Sequence, residues 1–283
     1  MLGMAVSSGL GAQSFSRIYA EDYSRAHGYG VQGGAVCSDY LFQCHDKAPA
    51  IVVYDLARRE AVADLPLPGV KTWHCNNACF SAYWYAPGDE FPLLYISQEH
   101  ASEHCAIVVR ITRDGTGTFA ADIVQKIVFP SPLEMGVWYP NIALDLQQGW
   151  LYVEGYSSPS WKDAADGNAL HLVRFAMPAA PAPEGAYAGS APKPAELPVD
   201  ETLGCPVLTL STADIQMRRT STFRVATQGA CIRNGKLFQA FGVPGCGPLS
   251  LCCTSLADGR LEWSRDLPSI GIDEEPETLG FYH

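Results

Sequence analysis

Apolar residues along this chain come in short runs of about four to eight, rich in β-branched and aromatic side chains and separated by Gly, Pro, Asn and Asp. Helical periodicity is almost absent, so the pattern predicts a nearly all-β protein. The candidate strands are Gly34–Cys37, Tyr40–Cys44, Ala50–Tyr54, Leu93–Ser97, Ala106–Ile111, Asp122–Phe129, Trp150–Glu154, Leu170–Phe175, Val207–Leu210, Cys231–Ile232, Leu237–Phe241 and Leu261–Ser264. Strands this short are typical of sandwiches, barrels and propellers.

Internal repetition favours the propeller among these three. Residues 32–43 (QGGAVCSDYLFQ) align without a gap on residues 228–239 (QGACIRNGKLFQ). Both segments predict a strand, a tight turn and a second strand, because Ser38-Asp39 and Asn234-Gly235 tolerate the positive φ of a two-residue hairpin. The likeness continues to an Asp-Leu-Pro sequence in each repeat. Each repeat therefore holds four strands in about 40 residues, the size of a propeller blade.

Further repeats set the expected blade count. Repeats begin at residues 32, 77, 141, 228 and 277, which predicts five blades, or six if the long interval from 141 to 228 contains another. We expect residues 1–283 to form a single domain, with an exposed Ala/Pro-rich loop insertion at 177–198. The last repeat ends one strand in, at His283. Either residues 1–30, with Ser14–Tyr19 as a strand, help to close the ring, or the chain lacks its natural end.

The repeats resemble those of the β-propeller superfamily. They are most similar to blades of uncharacterised bacterial propellers that read as Gly, two apolar residues, Asn-Gly, Lys, and Leu followed by Tyr or Phe. Residues 273–282 (DEEPETLGFY) are similar to the Glu-Pro-Glu start of a blade in those proteins. The resemblance covers roughly residues 30–283. It implies a fold and no activity, because propellers host unrelated functions.

Charge and composition narrow the function classes. The chain has 19 Lys and Arg against 30 Asp and Glu, a formal charge of −11, and no basic run, which disfavours nucleic-acid binding. No apolar stretch is long enough to span a membrane. No clear signal peptide precedes the repeats, so a cytoplasmic location is slightly favoured while the compartment stays open. The ten cysteines are interpreted as buried thiols rather than disulfides.

The start of each blade approaches the propeller axis, so polar residues there predict a shared funnel. A ligand-recognition propeller that binds a small polar or carbohydrate-like molecule, without a cofactor, is the leading hypothesis. The candidate ligand-binding residues are Gln32, His74, Asn76, Asn77, Tyr139, Asn141, Gln228, Glu275 and Glu277, with Glu274 beside them. The alternative is that these side chains satisfy strand-end backbone groups and ordered water.

Two other function classes stay open. The first is a glycoside hydrolase with paired axial carboxylates, for which Glu277 and Glu134 are the candidate catalytic residues. The second is a protein-interaction scaffold. Its candidate surface is a set of aromatic residues that would otherwise be wedges between blades: Trp73, Trp84, Tyr85, Trp138, Tyr139, Tyr156 and Trp161.

Histidine and cysteine residues cluster in the second repeat. They are His74, Cys75, Cys79, His100, His104 and Cys105. Imidazole and thiolate groups can bind zinc, but the spacing here fits no finger or zincin pattern. The sequence therefore predicts no metal site.

Overall fold

Almost all regular structure in the described part of the chain is β-strand. The computed structural model describes residues 2–4, 17–20, 30–45, 49–70, 74–100, 103–162, 167–178, 196–221 and 224–281. Within these ranges the helices are short, and none is long and apolar enough to cross a membrane. The predicted all-β class is confirmed.

The first strands build a small separate sheet and the first blade. Strands β1 (Leu2–Met4) and β2 (Arg17–Ala20) pair with each other in an antiparallel sheet of their own. Blade 1 is an antiparallel meander of β3 (Val31–Cys37), β4 (Tyr40–His45), β5 (Ala50–Asp55) and β6 (Glu60–Pro66).

A short helix lies between blades 2 and 3 in the sequence. Blade 2 contains β7 (Ala78–Phe80), β8 (Leu94–His100), β9 (Glu103–Arg113) and β10 (Phe119–Val128), and a short helix α1 (Pro132–Met135) follows. Blade 3 begins with β11 (Trp138–Asp145), β12 (Trp150–Tyr156) and β13 (Leu170–Ala176).

The chain then returns to blade 2 before blade 3 is complete. Strands β14 (Val199–Asp200) and β15 (Cys205–Thr209) extend blade 2, with β15 parallel to β10. A 3-10 turn at Thr212–Asp214 leads to β16 (Ile215–Ser221), the outer strand of blade 3. Of the predicted loop insertion at 177–198, residues 179–195 lie outside the described residues.

Blade 4 repeats the regular meander of blade 1. It contains β17 (Thr227–Arg233), β18 (Lys236–Phe241), β19 (Ser250–Ser255) and β20 (Leu261–Asp266), followed by a 3-10 turn at Pro268–Ile270. The aligned hairpins of blades 1 and 4 form as predicted. Cys37 pairs with Tyr40 and Arg233 with Lys236, and the turn residues Ser38 and Asn234 both have positive φ.

The inner strands close into a ring of four. Strand β3 contacts β7, β7 contacts β11, β11 contacts β17, and β17 contacts β3. The chain is therefore a four-bladed β-propeller, and the predicted count of five blades, with six as the alternative, is wrong. Blades 4 and 1 already touch at the axis, so no gap remains there for another four-stranded sheet.

The predicted fifth blade start is a coil that packs between blades 4 and 1. We call residues 275–281 the closure segment; they form no strand. Thr278 Oγ1 donates to the backbone oxygen of Gln32 in blade 1, at 3.2 Å. On the blade 4 side, a side chain at Gly229 would collide with the backbone of Thr278 and Leu279. The segment therefore closes the ring without adding a blade.

Gly33 and Gly229 explain why residues 273–282 look like a blade start. They are equivalent positions of the repeat, and a Cβ on Gly33 would lie 2.5 Å from the Cα of Asn77 at the start of blade 2. Gly229 meets the closure segment in the same way. The closure segment thus packs against Gly229 of blade 4 in the same way that the start of blade 2 packs against Gly33 of blade 1. The predicted contribution of Ser14–Tyr19 is not seen in the described residues, because β2 pairs with β1 and residues 14–16 lie outside them.

Apolar seams hold neighbouring blades together. Phe42, Ile51 and Val53 of blade 1 pack with Ile96 and Ile107 of blade 2 in one large buried cluster. A second cluster joins blades 2 and 3, and smaller ones join blades 3 and 4. The inner and middle strands are buried on both faces, whereas the outer strands β6, β16 and β20 are half exposed and polar. Burial of apolar side chains between neighbouring blades therefore stabilises the closed ring.

The ten cysteines are present as thiols, and six of them are buried. Burial raises the pKa of the Cys79 thiol to about 12, and the pKa of Cys231 also lies well above the ordinary value because of burial. These side chains stay protonated near neutral pH and act as small apolar groups.

Candidate ligand site on the propeller axis

A partly open cavity of about 360 Å³ lies on the axis at the level of the blade starts. Every blade or its connection contributes to it, and so does the closure segment. The lining residues are Gln32, His74, Asn76, Tyr139, Tyr156, Trp161, Ala226, Thr227, Gln228, Val243 and Glu275. We call this space the axial cavity. Its volume lies at the lower end of the range for small-molecule sites, about 300–1,000 Å³.

Irregular pairing in three inner strands places polar and aromatic residues at the cavity. The register shifts between Val31 and Gly34 in β3, and equivalent shifts occur in β11 and β17. The residues inside these irregularities include Gln32, Tyr139 and Gln228, and all three line the cavity. A β-bulge bends the strand and redirects a side chain, which accounts for this repeated placement.

One wall of the cavity is aromatic. The rings of Tyr139 and Tyr156 meet edge to face, with centroids 6.5 Å apart, and Trp161 packs in the same cluster. The hydroxyl of Tyr156 accepts a hydrogen bond from the backbone N–H of Thr227 at 2.7 Å, which ties the wall to blade 4. We call these three residues the aromatic wall. Its rings offer flat apolar faces beside polar groups.

Another part of the lining is polar and carries one carboxylate. The side-chain amide of Gln228 donates to Oε1 of Glu275, which joins blade 4 to the closure segment. Burial raises the pKa of Glu275 above its ordinary value, although the hydrogen bond from Gln228 opposes that shift. The hydrogen bond from Gln228 therefore offsets only part of the desolvation cost of the Glu275 carboxylate.

Two buried polar atoms of the lining have no hydrogen-bond partner among the described residues. They are Oε1 of Gln32 and Oγ1 of Thr227, and the Thr227 residue is only 3% exposed. Buried polar atoms in native proteins are nearly always hydrogen-bonded, and leaving one unpaired costs about 1–3 kcal/mol. Both residues line the cavity, so a small side-chain rotation would offer either oxygen to a molecule that enters it.

The next level along the axis is closed by side chains. The amide of Asn77 donates to Ile142 O of blade 3 and to Ala230 O of blade 4, both at 2.6 Å. The amide of Asn141 donates to Gln228 O at 2.5 Å. Both asparagines are fully buried. We call Asn77 and Asn141 the axial plug, because their hydrogen bonds join blades 2, 3 and 4 across the axis.

A buried acid beside the plug is missed by the sequence prediction. Glu154 in β12 is 4% exposed and accepts hydrogen bonds from Asn141 and Gln239. Burial raises its pKa to about 8, although both hydrogen bonds act in the opposite direction. Glu154 follows the apolar sequence Leu151-Tyr152-Val153, which hides it. The available signal was its position in the second strand of its blade, which matches Gln43 and Gln239.

The structure separates the nine predicted ligand-binding residues into two groups. Six line the axial cavity: Gln32, His74, Asn76, Tyr139, Gln228 and Glu275. Asn77 and Asn141 form the plug instead, and Glu277 lies near Cys75, where its charge adds to the rise that burial causes in the pKa of that thiol. Thr227 and the aromatic residues Tyr156 and Trp161 also line the cavity. Thr227 carries no signal in the sequence beyond its place next to Gln228.

The two predicted catalytic carboxylates do not share the axial cavity, since neither lines it. Glu134 lies in α1, where its exposed carboxylate accepts hydrogen bonds from Ser131, and these bonds lower its pKa. The backbone oxygen of Glu134 accepts from Arg218 in β16, the outer strand of blade 3. A general acid needs a raised pKa, so Glu134 has the opposite environment.

The remaining candidates have varied placements. Trp84 is 51% exposed, Glu274 is exposed outside the cavity lining, and Trp73 lies outside the described residues. Among the described side chains, no group of three or more His, Cys, Asp or Glu residues could hold a metal ion.

Comparisons with known proteins identify no family and give similar solved structures only. No protein-family model matches the chain, and no curated protein matches it. Solved structures similar to it include a chain of a nidogen–laminin complex, with 13% identity, a TM-score of 0.40, and coverage of 88% of this chain and 84% of the other. Hydrazine synthase of Kuenenia stuttgartiensis has 10% identity, a TM-score of 0.39, and coverage of 82% and 53%.

Apo AztD from Citrobacter koseri is a third similar structure, with 10% identity, a TM-score of 0.32, and coverage of 96% of this chain and 52% of the other. The chain thus spans about half the length of the AztD and hydrazine synthase chains. All three TM-scores are below 0.5, so the arrangement of the four blades itself carries the assignment of the fold.

Proposed function

We propose that this propeller binds a small polar molecule, carbohydrate-like in size and hydrogen-bonding capacity, in the axial cavity. The observation that carries the proposal is the pair of buried atoms, Gln32 Oε1 and Thr227 Oγ1, that lack partners among the described residues. A polar ligand would supply those partners and remove the cost of leaving them unpaired.

The shape and chemistry of the cavity support the same function. A few convergent polar groups beside an apolar wall are the usual composition of a small-molecule site. The aromatic wall offers faces on which the apolar face of a sugar ring can stack. Backbone strain also occurs at the site, because Tyr139 and Ala226 both line the cavity with positive φ. Strain of this kind clusters at ligand sites.

Thermal unfolding in the presence of candidate ligands tests this function. We expect at least one compound from a panel of monosaccharides, amino sugars and polyols to raise the melting temperature. A ligand present at about 100 times its Kd stabilises the folded state by about 2.7 kcal/mol, a shift of several degrees.

The Thr227→Val variant locates the binding. It keeps the side-chain shape and removes the hydroxyl, so we expect it to lose most of the ligand-induced shift while it stays folded. The matched control is Thr212→Val, because Thr212 is exposed in a 3-10 turn outside the cavity lining. If no panel compound shifts the melting temperature, or if both variants respond like the wild type, the axial cavity is not a small-molecule site.

A further inference from the structure

A short series of hydrogen bonds connects the buried acid Glu154 to the lining of the axial cavity. Asn141 Nδ2 donates to Glu154 Oε1 at 3.3 Å and to the backbone oxygen of Gln228 at 2.5 Å. Gln228 lines the cavity, and its side-chain amide donates to Glu275. One residue of the plug thus joins Glu154 to the candidate ligand site.

Glu154 is surrounded by neutral hydrogen-bonding groups rather than by a paired charge. Burial raises its pKa to about 8, and the hydrogen bonds from Gln239 and Asn141 oppose that rise. These two amide bonds are the contacts of its carboxyl group with described residues. The titratable and charged groups on the surrounding strands are Tyr139 and Asp145 on β11, Tyr152 and Tyr156 on β12, His171 and Arg174 on β13, Arg219 on β16, and Cys252 on β19.

A second, narrower space reaches Glu154 between blades 3 and 4. It has a volume of about 30 Å³, and its lining includes Glu154, Gln239 and Arg219. The guanidinium group of Arg219 is held by Leu256 O at 2.8 Å and Ala257 O at 2.7 Å. A water molecule needs about 10–15 Å³, so this space can hold water beside the buried acid. Glu154 can therefore exchange its proton with solvent, although it is only 4% exposed.

The two amides that contact Glu154 respond differently to its proton. A neutral carboxyl group has one O–H donor, whereas a carboxylate only accepts. Asn141 cannot turn its amide to accept the proton, because its oxygen would then face the backbone oxygen of Gln228. Gln239 can turn, since its side-chain amide bonds Glu154 and no other described group. Neutral Glu154 therefore donates to the Gln239 amide oxygen, whereas the ionised form accepts N–H groups from both amides.

We propose that Glu154 is a positioning residue of the axial cavity, whose proton determines, through Asn141, where Gln228 lies and how tightly a ligand is held. Hydrogen bonds to a carboxylate are shorter and stronger than neutral ones. Loss of the proton therefore shortens the 3.3 Å contact and lengthens the bond from Asn141 to Gln228. Gln228 can follow, because it lies within the irregular pairing of β17. The effect on affinity rests on the proposed function, whereas the movement of Gln228 does not.

Nuclear magnetic resonance of the full chain tests this movement without a ligand. The amide signals of Asn141, Gln228 and Gln239 are followed between about pH 7 and pH 9.5, together with the ¹³C signal of the Glu154 carboxyl group. We expect all four residues to shift with one midpoint near pH 8. Glu154→Gln keeps the size of the side chain and removes the proton exchange, so the shifts of the three amides should disappear.

Two matched variants remove other carboxyl groups. Glu275 also bonds Gln228 and has a raised pKa, so Glu275→Gln separates its titration from that of Glu154. Glu134→Gln removes an exposed acid outside the cavity lining. We expect the Gln228 titration near pH 8 to persist in both. Should Glu154→Gln unfold, the wild type still decides: a Gln228 midpoint that differs from that of the Glu154 carboxyl group overturns the inference.

Calorimetric titration measures the consequence for binding. Glucose and myo-inositol stay neutral over this pH range, so a change in their Kd reports on the protein. We expect whichever of them binds to lose about fivefold in affinity between pH 7 and pH 9.5, the lower end of typical coupling between sites. Glu154→Gln should show no such loss.

The outcomes separate this inference from the proposed function. Gln228 signals that do not titrate, or that titrate unchanged in Glu154→Gln, overturn the inference whatever the cavity binds. Titration of Gln228 without a change in affinity overturns the control of binding and leaves the proposed function standing. Absence of binding by every compound of the thermal panel overturns the proposed function, and the Gln228 titration still decides whether Glu154 positions that residue.

Discussion

Polar side chains have different roles at two neighbouring levels of the propeller axis, the axial cavity and the axial plug. At the cavity level, Gln32 and Thr227 present polar atoms without partners among the described residues. At the plug level, the amide N–H groups of Asn77 and Asn141 bond the backbones of other blades at 2.5–2.6 Å, although their side-chain oxygens also lack partners among the described residues. The first level is suited to a ligand, whereas the second holds the ring together.

Asn76 connects the two levels and shows how small the difference is. It lines the cavity, yet its amide donates to Thr227 O of blade 4 at 2.9 Å. Its neighbour Asn77 is closed off from the cavity and bonds two blades. Both residues directly precede β7, so one step along the chain separates a binding role from a structural one.

The largest effect should come from breaking the plug. Asn77→Ala removes both amide hydrogen bonds and leaves the buried oxygens of Ile142 and Ala230 with only the long contacts from the Cys79 thiol, at 3.8 and 3.9 Å. We expect a loss of about 4 kcal/mol in the free energy of unfolding, since each unpaired buried group costs about 1–3 kcal/mol. Urea denaturation measures it. A loss below about 1 kcal/mol would mean that the plug does not hold the blades together.

The next effect depends on pH and arises at Glu154. Its pKa is about 8 in the folded protein against an ordinary value of 4.5, so the folded state holds the proton more tightly. The stability contributed by the neutral carboxyl is fully present below pH 4.5 and is lost as the pH rises through about 8. Glu154→Gln should remove this loss and leave the variant at least about 2 kcal/mol more stable than the wild type at pH 9.

Urea denaturation of both proteins between pH 5 and pH 9 checks the prediction. The stability difference should grow with pH across that interval. As a control, Glu134→Gln changes an exposed carboxylate whose pKa is lowered, so it should produce no such increase. A Glu154→Gln curve parallel to that of the wild type would show that the acid is not held neutral.

A smaller effect is expected at the closure segment. Thr278 donates to Gln32 O and accepts from the amide of Gln43 at 3.5 Å. Thr278→Val keeps the shape and removes these bonds, so we expect a loss of about 1 kcal/mol in unfolding free energy. Hydrogen exchange should rise at the amides of β3 and β17 and stay unchanged in blade 2. Uniform changes across all blades would argue against a local role.

The smallest effect on stability should come from the cavity level. Gln32→Ala removes an oxygen that has no partner among the described residues, so it should change the unfolding free energy by less than about 0.5 kcal/mol. The same variant should bind the ligand more weakly. A large loss of stability would assign Gln32 to the structural level beside Asn77.

Most of the fold was predictable because local patterns repeat. Residues 32–43 and 228–239 contain the same hairpin, and its turn residues determine the conformation locally. The blade count was not predictable in this way. Residues 273–282 imitate a blade start because the closure segment meets Gly229 as a blade start meets Gly33. Only the contact between β17 and β3 shows that the ring is already complete.

The candidate site was predictable as a region and not residue by residue. Polar blade starts predicted an axial cluster, and six of the nine predicted residues line the cavity. The sequence could not separate Asn76 from Asn77, because that depends on which backbone groups other blades bring to the axis. Glu154 was hidden for a similar reason, since its burial follows from the packing of blades 3 and 4.

The return of the chain to blade 2 has a consequence for how the protein folds. Strands β14 and β15 join blade 2 before β16 completes blade 3, and β15 pairs in parallel with β10. Parallel pairing over such a sequence separation is slow to form, because the loop must close before any contact compensates for its entropy. Blades 2 and 3 should therefore acquire their protection as one cooperative unit, whereas the hairpins of blades 1 and 4 form locally and early.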